Sequence, residues 1–391
     1  MTDLSQDALD WARRLVQFNT VSRESNLPLI ECIADHLRTL GVPVRLTHDE
    51  GRRKANLFAT IGPGKPDGVI LSGHTDTVPW DGQAWTRDPL GADVDDGRLY
   101  GRGSADMKAF IGLAVAQAAR YLQADAPFAI HYAFSYDEET GCFGVPHLIA
   151  DLRDAGIAPR LCLVGEPTGM VPAIAHKGVF RWRCCVKGKP AHSSLTPSSV
   201  NAIEAGARLV ARIADMGERW RSHGPCYDGF DVPFSTSSVG MMNGGIADNV
   251  VPEDCVFHYE FRNLPGHDAD AMQGAVLQAA AALEAPMRAV DAGTGFRFET
   301  ICAVPDFLAR ADEPALALAQ RLAGTTDTTL VAFGTEAGLF HRAGISTVVC
   351  GPGFIAQAHQ PDEFVSLEQL ARCERYLHAL AGPGARLPKD G

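Results

Sequence analysis

Val69-Ile70-Leu71-Ser72-Gly73-His74-Thr75-Asp76-Thr77-Val78-Pro79 begins as an apolar run rich in branched residues and stops at a His-x-Asp pair. Such a run reads as a buried central strand of an α/β sheet, and ligands of these sheets bind just beyond the carboxyl ends of the strands. His74 and Asp76 stand at that point. A His beside an Asp is more often a local hydrogen bond than a metal site, so the weight of the pair depends on what the other strands carry.

Upstream, Ile30, Ile33, Ala34, Leu37 and Leu40 fall at helical spacing and close at Gly41; a strand over 56–61 and a Gly/Pro-rich turn follow. Downstream come a turn-rich loop from Gly91 to Arg102 and a helix from about Asp106. A strand from Phe128 to Tyr136, a helix near Gly144 to Ala155 and a strand from Leu161 to Val164 complete this part. The alternation of strands and helices predicts an α/β fold, a mostly parallel sheet sandwiched by helices. After Lys177 the pattern changes, because Val179 to Val186 partly alternates apolar with polar residues, as a half-exposed strand does. Helices over Val200–Met216 and Asp268–Leu283, with strands over Ser235–Met242 and Cys255–Arg262, make an α+β insert of roughly 110 residues, a usual domain size. From about Phe296 the α/β character returns, with a helix over Glu313–Leu322, a strand at Ile345–Cys350 and a last helix opened by Ser366 and Gln369 as a capping box. The reading is a discontinuous α/β domain, 1–178 and 294–391, interrupted by the insert 179–293.

A chain of 391 residues with 46% hydrophobic content is long enough for two cores. Its formal charge of -12 disfavours nucleic acid or an anionic membrane surface as partner, since both need a basic face, and leaves a small molecule. Ten cysteines without Cys-x-x-Cys spacing and a polar beginning at Met1-Thr2-Asp3 predict a cytoplasmic protein with reduced thiols.

Four predicted strands lead into polar residues: His74 and Asp76; Asp137, Glu138 and Glu139; Glu166; and His359 after Gly351-Pro352-Gly353. Asp106 adds a fifth contribution at a helix start. Singly, each has an ordinary explanation: Asp106 could cap its helix, Glu138 and Glu139 could be solvated, and His359 could lie at the surface. Together they would converge on one crevice, where like charges are unfavourable unless a cation neutralises them. Carboxylates and imidazoles without Cys suit hydrolytic zinc, cobalt or manganese, in numbers sufficient for two ions bridged by one carboxylate. If 138–139 is extended, the two Glu side chains point differently, one toward metal and one toward the reacting water. That provides Lewis acidity and a general base.

Ser72 to Pro79, Gly101-Arg102-Gly103-Ser104-Ala105-Asp106-Met107-Lys108, Asp137-Glu138-Glu139, Gly165-Glu166-Pro167-Thr168 and Ala358-His359-Gln360-Pro361-Asp362-Glu363 resemble, in order, the motifs of the di-zinc amidohydrolase family of aminoacylases, acetylornithine deacetylases and succinyl-diaminopimelate desuccinylases. The resemblance implies that His74 and Glu166 hold one divalent metal ion, Glu139 and His359 a second, and Asp106 bridges them. Zinc is the first choice, with cobalt or manganese as alternatives. It implies further that Asp76 orients His74, that Glu138 is the general base, and that the Asp106–Met107 peptide is cis. Ala109 departs from the family's usual Gly.

The insert resembles the family's lid and dimerisation domain, which implies a homodimer formed through it. There His192, in Gly188-Lys189-Pro190-Ala191-His192-Ser193-Ser194, would stabilise an oxyanion in a neighbouring active site, and Asn249 and Arg262 would grip substrate. Lys177 and Arg102 read as structural. Ala332-Phe333-Gly334-Thr335-Glu336-Ala337-Gly338 most resembles the acetylornithine deacetylase branch, with Glu336 near an amine-bearing substrate side chain or, alternatively, in a structural salt bridge. The implied reaction is hydrolysis of an N-acyl amino acid, N2-acetyl-L-ornithine first. The alternatives are an N-succinyl or N-formyl substrate, a general aminoacylase or dipeptidase, and a non-catalytic amino-acid-binding protein on the same fold.

Overall fold

The strand Val69–His74 is buried at all six positions, as its branched residues require of a strand covered on both faces. It lies inside a nine-stranded sheet in a computed structural model of the protein that describes residues 3–62, 68–124 and 128–382. The first two residues and most of the Gly/Pro-rich turn, 63–67, lie outside the described residues. Val69–His74 pairs in parallel with Ile130–Ser135 on one side and Leu161–Pro167 on the other, and Leu161–Pro167 pairs in parallel with Ser346–Gly351. Beyond Ile130–Ser135 the sheet continues antiparallel through Ala55–Ile61 to Val44–His48. The helix Lys108–Ala116 is apolar on nearly every side and buried from Lys108 to Val115, because it packs over the sheet, with Ile111 on Gly73 and Phe110 on Gly165, and is itself covered by other helices. Its contact with the helix Gln6–Val16 needs Gly112: a Cβ there would sit 2.6 Å from Ala12 Cα.

The chain divides into two compact units, one of 1–175, 307–331 and 335–391, the other of 176–306 and 332–334. The second is built on a four-stranded antiparallel sheet ordered Thr236–Gly244, Asp254–Arg262, Val179–Lys187, Gly295–Val304. Phe257, Tyr259 and Phe261 stand opposite Cys184, Trp182 and Phe180 across the central pair. Helices Ala202–His223 and Ala269–Val290 close this core with Leu209, Ile213, Met272 and Val276. The boundary expected at 293/294 is therefore corrected. Gly295–Val304 pairs with Val179–Lys187 and belongs to the second sheet. It is an edge strand whose Phe296 and Phe298 pack against the second core while Arg297 between them is exposed.

Candidate metal centre

Parallel pairing aligns the chemistry-bearing ends of the strands. His74 is the last residue of its strand and stands in register with Ser135, and Thr75 N–H and Oγ1 both donate to the Ser135 carbonyl, at 2.9 and 2.6 Å. Glu166 lies near the end of the next strand, Leu161–Pro167. Asp106 ends the loop before helix Lys108–Ala116, and the Asp106–Met107 peptide is cis. Glu138 and Glu139 open a short helical turn, Glu138–Gly141, and His359 follows the Ser346–Gly351 strand with φ +62°.

These side chains meet around Asp106. Its Oδ1 lies 2.8 Å from His74 Nε2 and its Oδ2 3.3 Å from His359 Nε2. His74 Nε2 is also 3.5 Å from Glu166 Oε1, and His359 Nε2 is 3.2 Å from Glu139. Potential ligand atoms fall into two overlapping clusters, His74–Asp106–Glu139 and His74–Glu138–Glu166, each within 4.8 Å. Four carboxylates and two imidazoles so arranged form an oxygen and nitrogen donor set that fits divalent cations.

Protonation follows this crowding. Burial pushes the Glu138 and Glu166 carboxyls well above the usual range, with neighbouring carboxylates adding to the shift and the His74 charge opposing it. Burial also raises Glu139, reinforced by Asp106. His74 is raised although burial opposes its charge, because Glu166, Asp106 and Asp76 favour the imidazolium. Hydrogen bonds to Asp106 and then Glu139 hold His359 at about 10. For Asp106, burial is outweighed by its bonds to His359 and His74, and its carboxyl stays low. These shifts favour protons where cations would balance the negative charge.

Asp76 works through two different groups. Its main-chain carbonyl holds His74 Nδ1 at 2.9 Å, whereas its carboxylate is 3.6 Å from that nitrogen. The carboxylate instead accepts the N–H groups of Glu138 (Oδ1, 3.0 Å) and Glu139 (Oδ2, 3.2 Å) and the Ser22 hydroxyl (2.7 Å). Residues 138–141 are not extended, so the expected alternation is corrected: successive residues of a helical turn diverge by about 100°. Asp137 turns away to an ion pair with Lys54. Two contacts had no sequence signal, the Ser22 bond and the Cys142 thiol, which donates to Glu138 Oε1 at 3.5 Å.

Glu336 is buried close to the centre: its charge adds to the burial that raises Glu138, and His74 acts on it in turn. It is 1% exposed, with Ser72 Oγ donating to Oε2 at 2.9 Å and Ser135 Oγ to Oε1, so both oxygens are engaged inside the first unit. Among the contacts described its partners are two hydroxyls, and no ion pair is formed. In the second unit, His192 is exposed and its Nδ1 meets Ser194 Oγ at 2.8 Å; its segment bridges to Val250, and the Asn249 carbonyl accepts Ser193 N–H at 3.0 Å. Arg262 ends its strand with Nε donating to Glu260 at 2.9 Å.

The chain belongs to peptidase family M20/M25/M40, whose signature it matches over residues 70–382. Two relatives named acetylornithine deacetylase are similar to it. The one from Myxococcus xanthus is 35% identical over 377 residues, 93% of each chain. The one from Proteus mirabilis (strain HI4320) is 34% identical over 350 residues, 88% of this chain and 86% of that one. The fold matches the M20 family metallo-carboxypeptidase Sso-CP2 from Sulfolobus solfataricus, with a TM-score of 0.77 at 16% identity over 96% and 99% of the two chains.

Proposed function

We propose that the protein is a metal-dependent amidohydrolase that cleaves N2-acetyl-L-ornithine, or a close N-acyl amino acid, to the free amino acid and a carboxylate. The observation that carries the hydrolase reading is the division of the Asp106 carboxylate between His74 and His359, the disposition of a residue shared by two sites. The names of the two relatives support the substrate.

His74 and Glu166 would hold one divalent ion, Glu139 and His359 another, with Asp106 shared; zinc is the proposed metal. Two such ions supply Lewis acidity and compensate the charge of the carboxylates. Glu138, with its carboxyl raised by burial, takes a proton from the attacking water and delivers it to the leaving amine nitrogen. Asp76 fixes the turn from which Glu138 projects. His192 would donate to the oxyanion developing in a neighbouring active site. Asn249 and Arg262 bind substrate, and because Arg262 Nε is engaged by Glu260, its terminal nitrogens would meet the substrate carboxylate.

Homodimerisation through the second unit is part of this proposal. Thr236–Gly244 is one edge of its sheet and exposes Met241 (54%) and Met242 (37%), a surface suited to a second chain. Light scattering on the purified protein tests it. The activity is tested by turnover on a panel of N-acetyl, N-succinyl and N-formyl amino acids and dipeptides, with zinc, cobalt or manganese added. Preference for a succinylated or peptide substrate replaces the acetylornithine assignment, and ligand binding without amide hydrolysis by metal-loaded protein rejects the enzyme.

A further inference from the structure

Behind Asp106 lies a carboxylate that the proposed chemistry does not use. Glu363 is 1% exposed, and its Oε1 accepts three main-chain N–H groups of the loop carrying Asp106: Gly103 at 3.0 Å, Ala105 at 2.9 Å and Asp106 itself at 3.2 Å. Its Oε2 accepts Arg102 Nη1 at 2.6 Å, and the Arg102 side chain is as deeply buried. Arg102 Nη2 in turn donates to Gln83 Oε1 at 2.6 Å, and Gln83 Nε2 donates to the main-chain carbonyl of His359 at 2.9 Å. Glu363 and His359 lie four residues apart, so the contacts close a ring through Asp106, Glu363, Arg102, Gln83 and His359.

The chain has invested unusual local geometry in this ring. Gly103 has φ +84°, and a Cβ there would meet Lys108 Cε at 2.4 Å and Thr77 Cγ2 at 2.9 Å, so the loop turns tightly enough to aim its N–H groups at Glu363. On the other side, Asp362 accepts Thr86 and Arg87 N–H at 2.9 and 3.1 Å, fixing the segment between His359 and Glu363 against the Gln83 loop. Only an ionised carboxylate can accept on both oxygens at once, from the loop and from the guanidinium; an amide offers one acceptor and two donors.

We infer that Glu363 is a positioning residue. It fixes the separation of Asp106 from His359 by accepting the Asp106 loop directly and His359 through Arg102 and Gln83. The inference rests on the dinuclear reading above, in which Asp106 is common to both ions and His359 belongs to one. It follows that the two ends of the ring have different consequences. Breaking it at Gln83 releases only His359, and weakens one ion. Breaking it at Glu363 releases Asp106 as well, and weakens both.

The test is cobalt(II) titration of the metal-free full-length protein, followed by visible absorption and equilibrium dialysis, with melting curves alongside. Wild type should take up two ions. Gln83→Leu should bind the first as wild type does and the second about 10- to 100-fold more weakly, the usual loss when a residue supporting a metal ligand is removed. Glu363→Gln should weaken both and change the spectrum of each. Gln83 is only half-buried and its replacement leaves the Arg102–Glu363 pair intact, so it tests the ring even if Glu363→Gln does not fold. Wild-type isotherms and spectra for both variants, with only a lower melting temperature, would mean the ring is scaffolding and overturn the inference. Fewer than two ions bound by the wild type would overturn the dinuclear reading itself, and with it the inference.

Discussion

Asp76 accepts the main-chain N–H of Glu138 at 3.0 Å through its carboxylate, while its own carbonyl holds His74. One residue thus fixes a proposed ligand with its backbone and the proposed base with its side chain. Asp76→Ala should lower kcat by about 10- to 100-fold, the cost typical of supporting residues around metal sites. The His74–carbonyl contact does not require the side chain, so the affinity of the His74 site should fall less than kcat. Steady-state kinetics with metal analysis on the same samples checks this.

Glu138→Gln should reduce kcat by about 10²- to 10⁴-fold, the contribution of general acid–base catalysis, with metal content unchanged. The experiment separates two roles, because Glu138 also falls within 4.8 Å of His74 and Glu166. Loss of one equivalent of metal together with activity would make Glu138 a ligand.

The legibility of this site in the sequence was uneven for physical reasons. Val69–His74 could be read because a strand buried on both faces must be apolar throughout, and the break at His74 marks where the sheet ends. Gly295–Val304 alternates Phe296-Arg297-Phe298-Glu299, but local alternation does not say which of two sheets a strand joins; its pairing with Val179–Lys187 decides that. Glu336 was placed near substrate by the likeness of 332–338 to the acetylornithine deacetylase branch, and such a likeness does not say what the carboxyl touches. Its partners Ser72 and Ser135 lie 264 and 201 residues away. Likewise Arg102 could be read as structural, but not as the partner of Glu363 across 261 residues.

Cation uptake should release protons. At neutral pH the metal-free site carries a proton on His359, held at about 10 by Asp106 and Glu139, and Glu138 and Glu166 are raised by burial. Each has a folded pKa above its unfolded value. Their contributions to stability are therefore present below the ordinary carboxylate and imidazole ranges, and are lost as pH rises through the raised values, for His359 between about 6.5 and about 10. The metal-free protein should lose stability on the alkaline side, while the loaded protein should not, and metal affinity should rise with pH. Melting curves across pH, with calorimetry in buffers of different ionisation enthalpy, measure both effects.

His192→Ala should cost about 10²- to 10³-fold in kcat, as removal of one oxyanion donor does elsewhere. The side chain is exposed and bonds Ser194 locally, so the melting temperature should hardly move. Unchanged kcat would remove His192 from the reaction and leave the second unit a binding and assembly role alone.

Glu336→Ala distinguishes the buried carboxyl from a substrate contact. Removing it leaves the Ser72 and Ser135 hydroxyls without their acceptor in a closed interior, a loss of about 1–3 kcal/mol for a buried polar group left unsatisfied. Thermal or denaturant unfolding should show that loss. The ratio of kcat/KM for acetylornithine to that for an acetylated amino acid with an uncharged side chain should stay at the wild-type value where the carboxyl only holds Ser72 and Ser135, the role that its 1% exposure favours. A selective fall for acetylornithine would return Glu336 to the substrate and require the interior around Ser72 and Ser135 to open during binding.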